Sequence, residues 1–134
     1  KLDYYTRLAV ETGMMLDDLG SKLNRIAITA YLKEERLALL ASAGYCVRDY
    51  TPRINDEGIE IGIDMQKFFR PVFSIPELKA ANRPFKVNQH VQKRLDGAAT
   101  YYKFLAWTFT EYERIFVFDV DEHLLSNPDP LVET

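Results

Sequence analysis

The spacing of apolar residues changes along this chain, and each change marks an element. Over residues 4–19, Leu8, Met15 and Leu19 recur on roughly one side, which predicts an amphipathic helix ending near Gly20. Arg25-Ile26-Ala27-Ile28-Thr29-Ala30 reads as a short strand. Over residues 32–43, Leu32, Leu39, Leu40 and Ala43 share a face, with Lys33, Glu34, Glu35 and Arg36 near the start. That pattern is a second helix, and Gly44 is its C-terminal stop. Tyr45-Cys46-Val47-Arg48-Asp49-Tyr50 reads as the next strand, closed by Pro52. Strand, helix, strand in this order is the βαβ unit of a parallel sheet, with a right-handed crossover expected.

Further on the pattern loosens and then sharpens. Residues 53–64 carry Asn55, Asp56, Gly58 and Gly62 and read as a loop. Residues 65–88 hold Pro71, Pro76 and Pro84 among scattered aromatics, which predicts short helical turns. A helix-forming stretch follows at 88–95, with Gly97 behind it. Ala98, Tyr102, Leu105, Phe109 and Tyr112 then fall at steps of 4, 3, 4 and 3, one face of a helix over 98–112. It feeds into Ile115-Phe116-Val117-Phe118, an unbroken apolar run rich in aromatic and β-branched residues. Such a run predicts a strand buried on both faces, as in the middle of a parallel sheet. It ends in Asp119-Val120-Asp121, and Asn127-Pro128-Asp129-Pro130 marks a turn before a last element at Leu131 and Val132.

Composition narrows the class. The chain has 134 residues, 47% of them hydrophobic, which suits one folded domain with its own core. A net charge of −3 argues against a nucleic-acid-binding module. No apolar run approaches the roughly 20 residues of a membrane span. The single Cys46 cannot form an internal disulfide and reads as a small buried strand residue. The chain begins at Lys1 and ends at Thr134, soon after its most informative motif, so it reads as a piece of a longer protein. The compartment is left open, with cytoplasm and Golgi lumen both compatible.

The acidic pair carries the chemistry. On a strand, residues i and i+2 point to one side, so Asp119 and Asp121 are expected together at the strand's C-terminal lip. In open α/β sheets that lip is where ligands bind. Two carboxylates this close repel each other unless a cation lies between them. Oxygen ligands select a hard divalent ion, Mg2+ or Mn2+. The plain alternative is a strand terminus followed by a solvated turn. His123 follows the alternation of the pair if the strand continues and is a lesser candidate for a third ligand. His90 reads as exposed on a polar helix.

Tyr101-Tyr102-Lys103-Phe104-Leu105-Ala106-Trp107, Thr110-Glu111-Tyr112-Glu113-Arg114, Phe118-Asp119-Val120-Asp121 and then Leu124, Asn127, Asp129 and Leu131 resemble the glycogenin-like glycosyltransferases of family 8. That family reads approximately K-hydrophobic-x-x-W, x-L-T-x-Y, a hydrophobic strand, D-x-D, and L-x-x-N-x-D-x-L. The match is continuous between Tyr101 and Leu131, with a weaker likeness of layout over residues 5–50. The resemblance implies an α/β, GT-A (Rossmann-like) fold, a mostly parallel sheet flanked by helices and incomplete at both ends. Residues 1–134 would be the N-terminal, donor-binding part of one such domain. It implies a retaining transfer of a hexosyl or similar sugar from a nucleotide-sugar donor, with UDP-sugar as the family's usual choice, to a carbohydrate or protein acceptor. By the resemblance, Asp119 and Asp121 hold Mn2+ (or Mg2+) on the donor diphosphate, and Asp119 also approaches the ribose or sugar. Val120 matches a position whose backbone meets the nucleotide. Lys103 matches the family lysine that contacts the donor, and Arg94 a family arginine near the sugar and phosphates.

Physics agrees with these roles. A diphosphate must depart, a cation held by two carboxylates neutralises its growing charge, and a lysine and an arginine add hydrogen bonds. Lys103 as a solvated helix residue and Arg94 as a surface cation are the plain alternatives, and Trp107 and Tyr112 read as packing residues. The departures are specific. Glu122-His123 replaces the commoner Thr-Leu after D-x-D. The strand whose Thr, Asn and Tyr residues cradle the base is expected before Lys1. The acceptor site and the later D-Q and His segments are expected after Thr134. Two other functions compete. A haloacid-dehalogenase-like phosphatase shares a hydrophobic strand and D-x-D, but its motif opens the chain and wants Thr or Val where His123 stands. A non-catalytic member of the fold would bind a nucleotide or a partner without transfer.

Overall fold

The computed structural model describes residues 4–65 and 97–133. Helix α1 spans Tyr4–Asp18, strand β1 Arg25–Thr29, helix α2 Glu34–Ser42 and strand β2 Tyr45–Asp49. β1 and β2 pair in parallel, with Arg25 opposite Tyr45 and Thr29 opposite Asp49. The molecule is therefore α/β, and the strand–helix–strand unit lies where the apolar periodicity puts it.

Each helix stops for a visible reason. After α1 the Gly20 N–H donates to Asp17 O and the Ser21 N–H to Leu16 O, both at 2.9–3.0 Å, with Gly20 at φ +72°. That is a Schellman close, which needs a left-handed residue. α2 ends at Gly44, φ +89°, whose N–H donates to Ala41 O. The two helices approach closely at Gly13, where a Cβ would stand 2.9 Å from Ala43 O. α1 buries Thr6, Thr12, Gly13 and Leu16, while Leu8, Met15 and Leu19 are only half-buried. The buried stripe is thus rotated from the one the large apolar residues suggest, because small residues are what the contact with α2 admits.

Arg25 stitches this unit together. Its guanidinium donates to Gly13 O at 3.0 Å and Ala43 O at 3.4 Å, and pairs with the Asp17 carboxylate. The Tyr45 hydroxyl donates to Ala9 O at 2.7 Å, and burial raises the pKa of that phenol.

Residues 53–64, expected as a loop, contain a small antiparallel hairpin, β3 (Arg53–Ile54) with β4 (Glu60–Ile61). Its turn is built on Asn55, whose side-chain oxygen accepts from the Glu57 and Ile59 N–H groups. Two-residue strands leave no alternation to read, so only the turn residues were visible in the sequence. Gly62 follows at φ +84°, where a Cβ would fall 2.3 Å from Thr51 O.

Gly97–Thr108 is a 3₁₀ helix, shorter than the expected 98–112. The expected face holds in part: Tyr102, Leu105 and Phe109 are buried, while Tyr112 is half-buried and lies beyond the helix. Tyr102 and Leu105 form the core with Met65, packed on Ile28, Ala30, Tyr50 and Ile63. The core therefore sits over the C-terminal ends of β1 and β2. The short helix α3, Asp129–Glu133, closes the described chain.

Two expectations are corrected. Ile115–Phe118 is not a strand, and it is not buried: Ile115, Phe116 and Val117 are exposed and Phe118 half-buried. A strand needs an edge to pair with, and among the described residues β1 and β2 pair only with each other. Cys46 is exposed, since its side of β2 opens into a groove of ≈ 740 Å³ between α1, α2 and the N-terminal ends of the strands. Trp107, expected as a core or surface-packing residue, is the latter: it is 79% exposed and stacks on Phe104 at 5.2 Å. The helical turns expected at 65–88 and the helix at 88–95, with His90 and Arg94, lie outside the described residues beyond Met65.

Candidate functional site

The 3₁₀ helix positions Lys103. Its neighbour Tyr102 is anchored over the strand ends, where its hydroxyl donates to Ile63 O at 2.6 Å. Burial, and then the Tyr31 phenol beside it, push the Tyr102 pKa up to about 12. Lys103 turns outward from this anchor, and its Nζ lies 3.4 Å from both Oδ1 and Oδ2 of Asp119.

Asp119 arrives there by a long excursion. Arg48, inside β2, holds residues 109–112. Its guanidinium lies 4.1 Å over the Phe109 ring and 5.9 Å from the Tyr112 ring, and pairs with Glu111. That ion pair lowers the Glu111 pKa. Tyr112 lines the groove at the N-terminal ends of β1 and β2. From there the chain runs through Ile115–Phe118 to Asp119, beside Lys103. Among the described residues this run joins neither sheet.

The acidic pair sits on a turn, not at a strand's lip. The Glu122 N–H donates to Asp119 O at 3.1 Å, closing a turn over residues 119–122. Strand parity, which predicted two carboxylates on one side, does not govern a turn. Asp119 and Asp121 are both exposed, and Val120 between them is half-buried. His123 is exposed and joins no metal cluster; among the described residues no three His, Cys, Asp or Glu converge on one point. The donor set still suits a phosphate-bound Mg2+ or Mn2+. Such ions take one or two carboxylates and fill the remaining positions with phosphate oxygens and water. Of the five residues picked from the sequence, Lys103 and Asp119 are brought together. Val120 and Asp121 share the turn with Asp119, and Arg94 lies outside the described residues.

Three features escaped the sequence. Arg48 had a signal: a cation inside a short parallel strand breaks the apolar run that such strands prefer. Asp129 had none beyond its motif. It is 6% exposed, and its carboxylate accepts from the Ser21 hydroxyl at 2.5 Å and the Lys22 N–H at 2.8 Å. These bonds, Lys22 first, lower its pKa. Asn127 accepts from the Asp129 N–H at 2.8 Å and sets its direction. The last is Tyr31, the one described non-glycine residue at positive φ, +61°. No family model, no curated protein and no solved structure matches this chain. Among the described residues no helix is long and apolar enough to cross a membrane.

Proposed function

We propose that this chain is the donor-binding part of a nucleotide-sugar-dependent glycosyltransferase, similar to the glycogenin-like family and built on a GT-A fold. The observation that carries the reading is Lys103 Nζ at 3.4 Å from both oxygens of Asp119. Lys103 and Asp119 stand 16 residues apart in the chain, and the resemblance assigns both to the donor.

Asp119 and Asp121 would hold Mn2+ or Mg2+ against that diphosphate. The cation, when bound, neutralises charge that grows on the departing phosphate oxygens. Lys103 is free to follow. Its pair with Asp119 is exposed on both sides and therefore weak, so the ammonium can exchange the carboxylate for a phosphate oxygen at little cost. The Val120 backbone meets the nucleotide, and Arg94 adds a cation near the sugar and phosphates. The sugar then passes with retention to a carbohydrate or protein acceptor.

Calorimetry tests the reading. Mn2+ is titrated with UDP and with UDP-glucose on the wild type and on Asp119→Ala and Asp121→Ala. The expected result is metal-dependent nucleotide binding that each substitution abolishes. Binding that survives both substitutions places the nucleotide elsewhere and defeats the proposal. Metal-dependent binding without sugar transfer to any acceptor identifies a binding member of the fold. A covalent phosphate on Asp119 would mark a phosphatase.

A further inference from the structure

We propose that Lys103 is a built-in competitor of the divalent cation for Asp119, so that a bound diphosphate opens the metal site by drawing the ammonium away. The inference rests on the donor-binding reading and adds to it a rule for how metal and nucleotide depend on each other.

The Lys103 ammonium does not sit at one corner of the carboxylate. Its Nζ lies 3.4 Å from Oδ1 and 3.4 Å from Oδ2 of Asp119, facing both oxygens equally. A cation held by both oxygens of a carboxylate is placed in the same way. Backbone bonds bring the two partners there. Tyr102, next to Lys103, donates its hydroxyl to Ile63 O at 2.6 Å, and the Glu122 N–H donates to Asp119 O at 3.1 Å. Asp121 is exposed and has no ion-pair partner among the described residues, so Lys103 covers one carboxylate of the two.

An ammonium and a divalent ion held against the same two oxygens repel each other. Lys103 must therefore leave Asp119 before that carboxylate can serve a metal ion. Without a diphosphate it leaves for water, and the ion pair is lost. With a diphosphate bound it leaves for phosphate oxygens, and one charge-assisted bond replaces another. The same displacement serves both ligands and is made once. By linkage, each ligand then raises the affinity for the other by the same factor. The pair is exposed on both sides, so Lys103 is a weak competitor that tunes metal binding without forbidding it.

Electron paramagnetic resonance of free Mn2+ reads metal binding directly, with no turnover. The 134-residue chain is titrated with Mn2+, with and without UDP, as wild type, Lys103→Met and Lys33→Met. Lys33 is exposed at the start of α2 and controls for the loss of one positive charge. Without UDP, Lys103→Met should bind Mn2+ roughly twofold to fivefold more tightly, the effect of one exposed ion pair. Lys33→Met should stay at the wild-type value. The factor by which UDP raises Mn2+ affinity should fall in Lys103→Met by about the same twofold to fivefold. Unchanged or weaker Mn2+ binding in Lys103→Met overturns this inference alone, as does an equal gain in Lys33→Met. The donor-binding reading fails through a different result, a wild type whose Mn2+ affinity UDP leaves unchanged, and this inference falls with it.

Discussion

Lys103 and Asp119 meet at the protein surface with side chains 49% and 58% exposed, so their attraction adds under about 1 kcal/mol to stability. A contact that contributes so little to folding is well placed to serve a ligand. Lys103→Met keeps the stem and removes the charge, and thereby separates the two roles. The melting temperature of this variant should stay within about 1–2 °C of wild type, since surface substitutions of this kind shift stability by about 0.5 kcal/mol or less. Metal-dependent UDP binding should fall by roughly tenfold or more, the effect of removing one charged partner from a diphosphate. Thermal melts and calorimetry on the same preparation check the pair of outcomes. A large drop in melting temperature would make Lys103 a structural residue instead. Legibility at this scale was uneven. Lys103 and Asp119 carry their chemistry in their type and spacing. Tyr31 does not, because positive φ at a tyrosine arises from bonds to Thr51 that no local pattern encodes.

Elements were legible wherever local rules decide. α1, β1, α2 and β2 follow from apolar spacing and from glycines that accept left-handed conformations at helix ends. Elements that need a distant partner were not. Ile115–Phe118 has strand composition, yet composition cannot supply a neighbouring edge, and the run stays unpaired and exposed. Cys46 was expected inside because strand cysteines pack well; which side of β2 is covered depends on the layers around it. Gly13 shows the reverse case, a residue chosen by tertiary contact against local preference. Mid-helix glycine costs about 0.5–1 kcal/mol relative to alanine. Gly13→Ala would recover that amount but place a Cβ 2.9 Å from Ala43 O and 3.2 Å from the Tyr45 ring. Backbone oxygen cannot step aside as a flexible side chain can, and overpacking of this kind costs about 1–3 kcal/mol. Contact should win over propensity, giving a net destabilisation of about 1 kcal/mol in urea unfolding. A more stable Gly13→Ala would mean that α1 and α2 can move apart freely.

At the scale of the whole molecule, two carboxylates tie residues 109–133 to the βαβ unit, beside the buried Phe109 ring under Arg48. Glu111 pairs with Arg48 in β2, and Asp129 accepts from Ser21 and Lys22 in the turn between α1 and β1. Both acids have pKa values lowered by those partners, as does Asp17 through its bond to Arg25. Folded-state values below the unfolded ones mean that these links contribute fully above the unfolded pKa, about 4 for Asp and Glu. Their contribution fades as pH falls through the folded values. The β1–β2 ladder is a backbone pairing, and the Tyr102–Leu105 core is apolar packing around Met65. Acid should therefore loosen the molecule in a definite order. Below about pH 4 the segment from Phe109 to Glu133 should lose amide protection first, while β1 and β2 stay protected to lower pH. Amide exchange resolved by residue, followed from pH 6 down to about pH 2.5, checks the order. Asp129→Asn with Glu111→Gln should bring the loss of protection in 109–133 to neutral pH, because neither amide replaces the charge and the first also turns an acceptor oxygen into a donor. Since this segment carries Asp119 to Lys103, metal-dependent UDP binding should weaken in the same double variant even though both donor-site residues are intact. Protection lost simultaneously in strands and segment would instead show that the two parts unfold as one cooperative unit, held by the core and not by these acids.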